Sequence, residues 1–96
     1  MEESVKGISS ERVEQRIVNL LLKFAQKVGE RRQGKIRISI YLTRQEIADM
    51  VGSTVETTIR VLSRLTKMGL LETKSKIIFL KDVKRLREIA EEGFDL

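Results

Sequence analysis

Two S/T-x-x-E signatures ten residues apart, with a glycine just ahead of the second, constrain this chain more than any other feature. In Thr43-Arg44-Gln45-Glu46 and again in Ser53-Thr54-Val55-Glu56, a hydroxyl can accept from the backbone N–H three residues on, and the Glu can reach back to the cap's own N–H. Each is a capping box, so the spacing predicts two short helices, about 44–50 and 54–68, joined by a three-residue turn. The first helix buries Ile47 and Ala48, with Val51 just beyond it. The second turns Thr58, Val61, Leu62, Leu65 and Met68 inward and stops at Gly69, a residue suited to the left-handed C-cap. Two helices joined this way form a helix-turn-helix, a motif whose second helix enters the DNA major groove.

The flanking segments supply the rest of a small domain. Ser9 or Ser10 offers an N-cap with Glu11 in the first turn, and Val13, Ile17, Leu20, Leu21, Phe24, Ala25 and Val28 recur at helical spacing. This predicts a helix over about 11–28 that stops at Gly29. Residues 30–35 read as a polar connector. Ile36, Ile38, Ile40 and Leu42 then alternate like a half-buried strand, with Leu42 placed to staple onto Ile47. After Gly69, two apolar runs, 70–73 and 77–80, flank the polar Lys74-Ser75-Lys76 and read as a β-hairpin, the wing of a winged helix. Asp82 caps a last helix over about 83–92, with Val83, Leu86, Ile89 and Ala90 inward. The expected class is α+β, mainly α: a winged helix-turn-helix with a three-helix core, a small antiparallel sheet and a C-terminal helix. Residues 11–96 form this domain, and residues 1–10 a tail.

Composition removes most chemistry. The 96 residues make one domain, and they contain no Cys, His, Trp or Pro. Zinc fingers, iron–sulfur sites, disulfides, thiol nucleophiles and His-based acid–base catalysis are therefore excluded. No apolar stretch follows Met1 and no apolar run is long enough to span a bilayer, so the expected location is cytoplasmic, without a membrane partner. The only paired carboxylates, Glu2-Glu3 and Glu91-Glu92, lie near the chain ends, so no enzyme and no cofactor is expected. Residues 31–81 hold eleven Lys/Arg against four Asp/Glu, net +7, while the remainder holds eight against ten, net −2. The basic excess therefore coincides with the helix-turn-helix and suits a polyanionic partner.

On the second helix of the motif, about 100° per residue sets Glu56, Arg60, Ser63 and Lys67 opposite Thr58. Glu56 and Arg60 lie one turn apart near the N-terminus, where a recognition helix meets base edges. Arg can pair with guanine O6 and N7, and Glu can accept from cytosine N4. The plainer alternative is an i,i+4 ion pair worth about 0.2–0.5 kcal/mol. Val55 and Ile59 flank this face, suited to a thymine methyl or to peripheral packing. Arg44, Gln45, Ser53, Thr54 and Thr57 cluster at the two helix starts, where side chains and free N–H groups suit phosphate oxygens. For Thr43 and Ser53 capping is the main role expected. Lys74 and Lys76 at the wing tip suit a phosphate or the minor-groove edge, or simply a solvated turn.

Gly29-Glu30-Arg31-Arg32-Gln33-Gly34-Lys35 matches most of a phosphate-binding loop, G-x-x-x-x-G-K. Ile36 stands where Ser or Thr should ligate magnesium, and the helix-then-strand context is reversed, so a helix end followed by a turn is the preferred reading.

From about Val13 to Ala90 the chain resembles the C-terminal DNA-binding domain of the cyclic-AMP receptor protein and fumarate–nitrate reduction regulator superfamily. The resemblance rests on V-E-Q-R-I at 13–17, L-T-R-Q-E-I-A at 42–48, V-E-T-T-I-R-V-L at 55–62, G-L-L at 69–71 and a short hairpin running into Asp82. It implies that Glu56 and Arg60 are the base-reading pair and that Arg44, Thr54 and Thr57 contact phosphates. Val55-Glu56 looks more like the fumarate–nitrate branch, although Ile59 stands where that branch typically carries Ser. The family further implies a homodimer on twofold-symmetric double-stranded DNA and contact with RNA polymerase in the full-length context. Its members carry an N-terminal sensor domain and a long dimerisation helix. The residues before the first helix are enough for a stub of that helix, so the chain is expected to be an output domain. The rival reading is a winged-helix protein-interaction module in a larger assembly, which needs no charged outer face on the second helix of the motif.

Overall fold

A computed structural model describes residues 12–94. The order is α1 (Val13–Val28), β1 (Gly29–Arg32), β2 (Lys35–Ile38), α2 (Arg44–Val51), α3 (Val55–Lys67), β3 (Leu71–Lys74), β4 (Ile77–Leu80) and α4 (Val83–Glu92). The strands form one antiparallel sheet in the order β1-β2-β4-β3. This is the winged helix-turn-helix expected, with one more strand than the sequence announced.

The core closes where the apolar stripes converge. Ile17, Val18 and Leu21 of α1, Ile47 of α2, Leu62 and Leu65 of α3, Ile38 and Leu80 of the sheet, and Leu86 and Ile89 of α4 share one buried cluster. Leu42 is buried in it beside Ile47, as a staple requires. Polar ties lock the helices in place. Arg16 Nε donates to the Val51 carbonyl at 2.9 Å, joining α1 to the C-terminus of α2. Gln15 Nε2 donates to the carbonyls of Ala90 and Glu91 at 3.3 and 2.9 Å, joining α1 to α4.

Four expectations change. Residues 30–35 are not a connector: α1 runs directly into β1, and residues 29–38 form a hairpin whose turn residues Gln33 and Gly34 have φ of 51° and 80°. The phosphate-loop pattern is therefore a β-hairpin. Gly29 has an ordinary φ of −89°, but a Cβ there would overlap the Ala25 carbonyl oxygen and lie 2.8 Å from Ile36 Cγ2. The strand predicted over 36–42 ends at Ile38, because only Ile36 and Arg37 pair with β4, and Ile40 is exposed. Helix α1 starts at Val13 with Arg12 as N-cap, its N–H donating to Gln15 Oε1 at 2.7 Å; Ser9, Ser10 and Glu11, like the tail 1–10, lie outside the described residues. Met68 is exposed rather than inward, since it follows the last helical residue.

Gly69 does close α3. At φ 80° it lets its own N–H reach the Thr66 carbonyl and the Leu70 N–H reach the Leu65 carbonyl, both at 3.0 Å, the two bonds of a Schellman cap.

Candidate nucleic-acid interface

The two helix starts are capped differently. At α2 the expected box is complete: Thr43 Oγ1 accepts from the Glu46 N–H at 3.0 Å, and Glu46 Oε1 accepts from the Thr43 N–H at 2.9 Å. At α3 the cap is Thr54, not Ser53. The Ser53 N–H is drawn to the Ala48 carbonyl at 2.9 Å, closing the end of α2 around Gly52 at φ 73°. The extended residue that follows, Thr54, therefore takes the N-cap, accepting from the Thr57 N–H at 3.1 Å. The S-x-x-E box does not form, and Glu56 is released from capping.

That release matters for the outer face of α3. Glu56, Arg60, Ser63 and Lys67 are all exposed, while Thr58 on the opposite face is fully buried. Neither Glu56 nor Arg60 makes an ion pair or side-chain hydrogen bond among the described residues. The i,i+4 pair considered above is therefore not formed. Ile59 is 49 % exposed, a methyl-bearing group standing out of the surface beside Arg60, and Val55 is half-buried. Ile59, Glu56, Arg60, Ser63, Arg64 and Lys67 border one shallow depression along the helix.

The residues expected at phosphates divide by availability. Thr54 Oγ1 is occupied by capping and by Thr57 Oγ1 at 3.1 Å. Gln45, an exposed residue, donates from Nε2 to Asp49 Oδ1 at 2.8 Å. Ser53 is half-buried. Lys74 is paired with Glu72 Oε2 at 3.2 Å, whereas Lys76 makes no ion pair among the described residues. Arg44 and Lys76, more than thirty residues apart in sequence, border one depression between the start of α2 and the wing, together with Tyr41, Leu42, Thr43 and Thr73. Tyr41 is 67 % exposed and absent from the sequence-based candidates. An aromatic beside a capping box was the available signal. Arg64, one turn beyond Arg60, was also missed although the helical wheel contains it.

Part of the basic excess is neutralised on the sheet's outer face. Glu30, Arg37, Phe79 and Glu72 lie in one cross-strand row. Lys35 Nζ reaches Glu72 Oε1 at 2.8 Å, and Arg37 lies 3.8 Å from Glu30 Oε1. Hydrogen bonds from Lys35 first, and then Lys74, hold the Glu72 carboxyl below its ordinary value of 4.5. Among the described residues no group of His, Cys, Asp and Glu is placed to hold a metal ion, and no helix is long and apolar enough to cross a membrane.

Comparison with known proteins follows the same lines. The family described as the Crp-like helix-turn-helix domain matches residues 15–89. Electron transport regulator A of Shewanella oneidensis is 32 % identical over 89 residues, which cover 93 % of this chain and 36 % of that protein. The fumarate and nitrate reduction regulatory protein of Escherichia coli is 34 % identical over 85 residues, 88 % of this chain and 32 % of that protein. The structure of a CRP/FNR-family transcriptional regulator from Thermus thermophilus superimposes with a TM-score of 0.78 at 28 % identity, over 91 % of this chain and 44 % of that one. The chain thus spans about a third of the length of the curated relatives it matches.

Proposed function

We propose that this chain, which belongs to the Crp-like helix-turn-helix domain family, binds double-stranded DNA sequence-specifically as the output domain of a transcription regulator, with α3 in the major groove. The family is one of transcription regulators, not enzymes. Binding is non-covalent: Lys and Arg neutralise phosphates, α3 inserts, and side chains bond to base edges.

The observation that carries the reading is the free pair on α3. Glu56 and Arg60 are exposed, unpaired among the described residues and one helical turn apart at the end of α3 that begins the motif's second helix. One turn rises about 5.4 Å against about 3.4 Å per base pair, so the two groups suit neighbouring pairs. Val55 and Ile59 offer apolar contact to thymine methyls. Arg44, Gln45, Ser53, Thr54, Thr57, Lys74 and Lys76 serve phosphates. Among them Arg44 and Lys76 border the same depression, which favours them as the strongest clamps, with Tyr41 beside them against a sugar. In a longer protein the domain works as a homodimer on a twofold-symmetric site, contacts RNA polymerase and resides in the cytoplasm.

Selection of duplexes from a random pool by the 96-residue chain, at stated salt, tests this. A sequence-specific consensus is expected. Arg60→Ala should then cost about 1–3 kcal/mol on the selected duplex and relax discrimination at one base pair. Equal losses on selected and scrambled duplexes would make Arg60 a phosphate contact instead. Failure to enrich any duplex would leave the protein-interaction module as the surviving reading.

A further inference from the structure

We propose that Phe94 and Arg64 form a positioning pair that adds a phosphate contact at the far flank of the DNA face; this rests on the reading of α3 as the helix that enters the groove. The exposed ridge of α3 does not end at Arg60. At about 100° per residue, Arg64 lies only about 40° round the helix from Arg60 and one turn further on. Both border the depression that contains Glu56 and Lys67.

Arg64 differs from Arg60 in being held. Its guanidinium carbon sits 4.2 Å from the centroid of the Phe94 ring, a cation–π distance, and it makes no ion pair among the described residues. The ring is itself anchored. The Phe94 N–H donates to Glu14 Oε2 at 3.3 Å, and the Gly93 N–H closes on the Ile89 carbonyl at 2.8 Å. Gln15 in the first turn of α1 grips the last carbonyls of α4. Three segments distant in sequence therefore converge to place one aromatic face against one guanidinium.

Stacking occupies the face of the guanidinium and leaves its N–H edge to donate, the geometry a phosphate oxygen takes. A restrained Arg also loses less rotamer freedom on binding than a free one. The ligand is a DNA phosphodiester rather than a base edge. Arg64 stands eight residues from Glu56, about 12 Å along the axis. A straight helix whose N-terminal residues touch bases meets the backbone, not the groove floor, at that distance.

The test is anisotropy titration of the full chain on its selected duplex and on a scrambled one at several salt concentrations. Arg64→Ala should weaken both duplexes by the same factor and lower the slope of log K against log salt by about one. Arg64→Lys should restore the slope. Phe94→Leu keeps the charge, so its slope should stay at the wild-type value while affinity falls about two- to fivefold. In an Arg64→Ala background Phe94→Leu should have no further effect. A Phe94 that merely supports the fold would weaken binding equally in both backgrounds, which overturns the pairing. Arg64→Ala with unaltered affinity and slope, in a chain whose wild type binds and whose Arg60→Ala variant loses discrimination, overturns this inference alone. A wild-type chain that binds no duplex overturns both readings.

Discussion

Thr58→Val should make this domain more stable without touching the face proposed to bind DNA. Thr58 lies at the centre of the buried side of α3, wholly inaccessible, and its Oγ1 meets no hydrogen-bonding partner among the described residues. A buried hydroxyl left unpaired costs about 1–3 kcal/mol. Val has the same branched shape, a similar χ1 restriction and nearly the same helix propensity, so those terms cancel. The exchange of an unpaired O–H for a methyl should therefore stabilise the fold by about 1–2 kcal/mol. In urea the midpoint should rise by roughly 0.5–1 M with the slope unchanged. The melting temperature should rise by about 4–8 °C per kcal/mol for a domain of this size. Affinity for the selected duplex should stay at the wild-type value, because Thr58 faces away from Glu56 and Arg60. An unchanged or lowered midpoint would refute the reasoning: the hydroxyl would then be bonded in solution, most simply to the Thr54 carbonyl, which already accepts the Thr58 N–H at 3.0 Å.

Gly29→Ala should destabilise the fold by about 1–3 kcal/mol, because the added Cβ meets backbone at Ala25 rather than a side chain that can move; a urea midpoint equal to wild type would show that the α1–β1 junction yields. Ser75 and Lys76 form the wing turn at φ of 50° and 68°, the left-handed region that suits Asn-Gly. Ser75→Asn with Lys76→Gly should therefore raise stability by about 1 kcal/mol, while lowering the salt slope of DNA binding by about one. Loss of stability would contradict the strain, and an unchanged slope would remove the wing tip from the interface. Glu72→Gln tests the acidic hub of the sheet. Its carboxyl is held below 4.5 in the folded chain, so its contribution is present above that pH and is lost as the pH falls through the lowered value. The wild type should be the more stable at neutral pH, and the difference should fade below pH 4.5; parallel stability curves across that range would count against the Lys35–Glu72–Lys74 cluster.

The legible parts of this protein are those decided within a few residues. Caps, helical stripes and a stop glycine act over one or two turns, so α2, α3, α4 and the left-handed Gly69 stand where the sequence puts them, within a residue or so at each end. The exposed ridge of Glu56, Arg60, Ser63 and Lys67 follows from the same periodicity. One local signal misled: Ser53 and Thr54 can both cap α3, and the choice falls to Thr54 because the Ser53 N–H is already committed to the end of α2.

What the amino-acid sequence determined by itself is therefore the helix-turn-helix, its wing and the residue types on its outer face. Tertiary structure decided which of those groups are free. Strand β1, with Arg31 and Arg32 and no alternation of its own, exists because β2 supplies its hydrogen-bonding partners. Lys74 is neutralised and Lys76 is not, because β3 carries Glu72 two residues before Lys74 on the same face. Arg44 and Lys76 come to border one depression, and Arg64 meets Phe94, across separations that no local pattern spans. Periodicity reports which way a side chain points from its own element, and only packing reports what it points at.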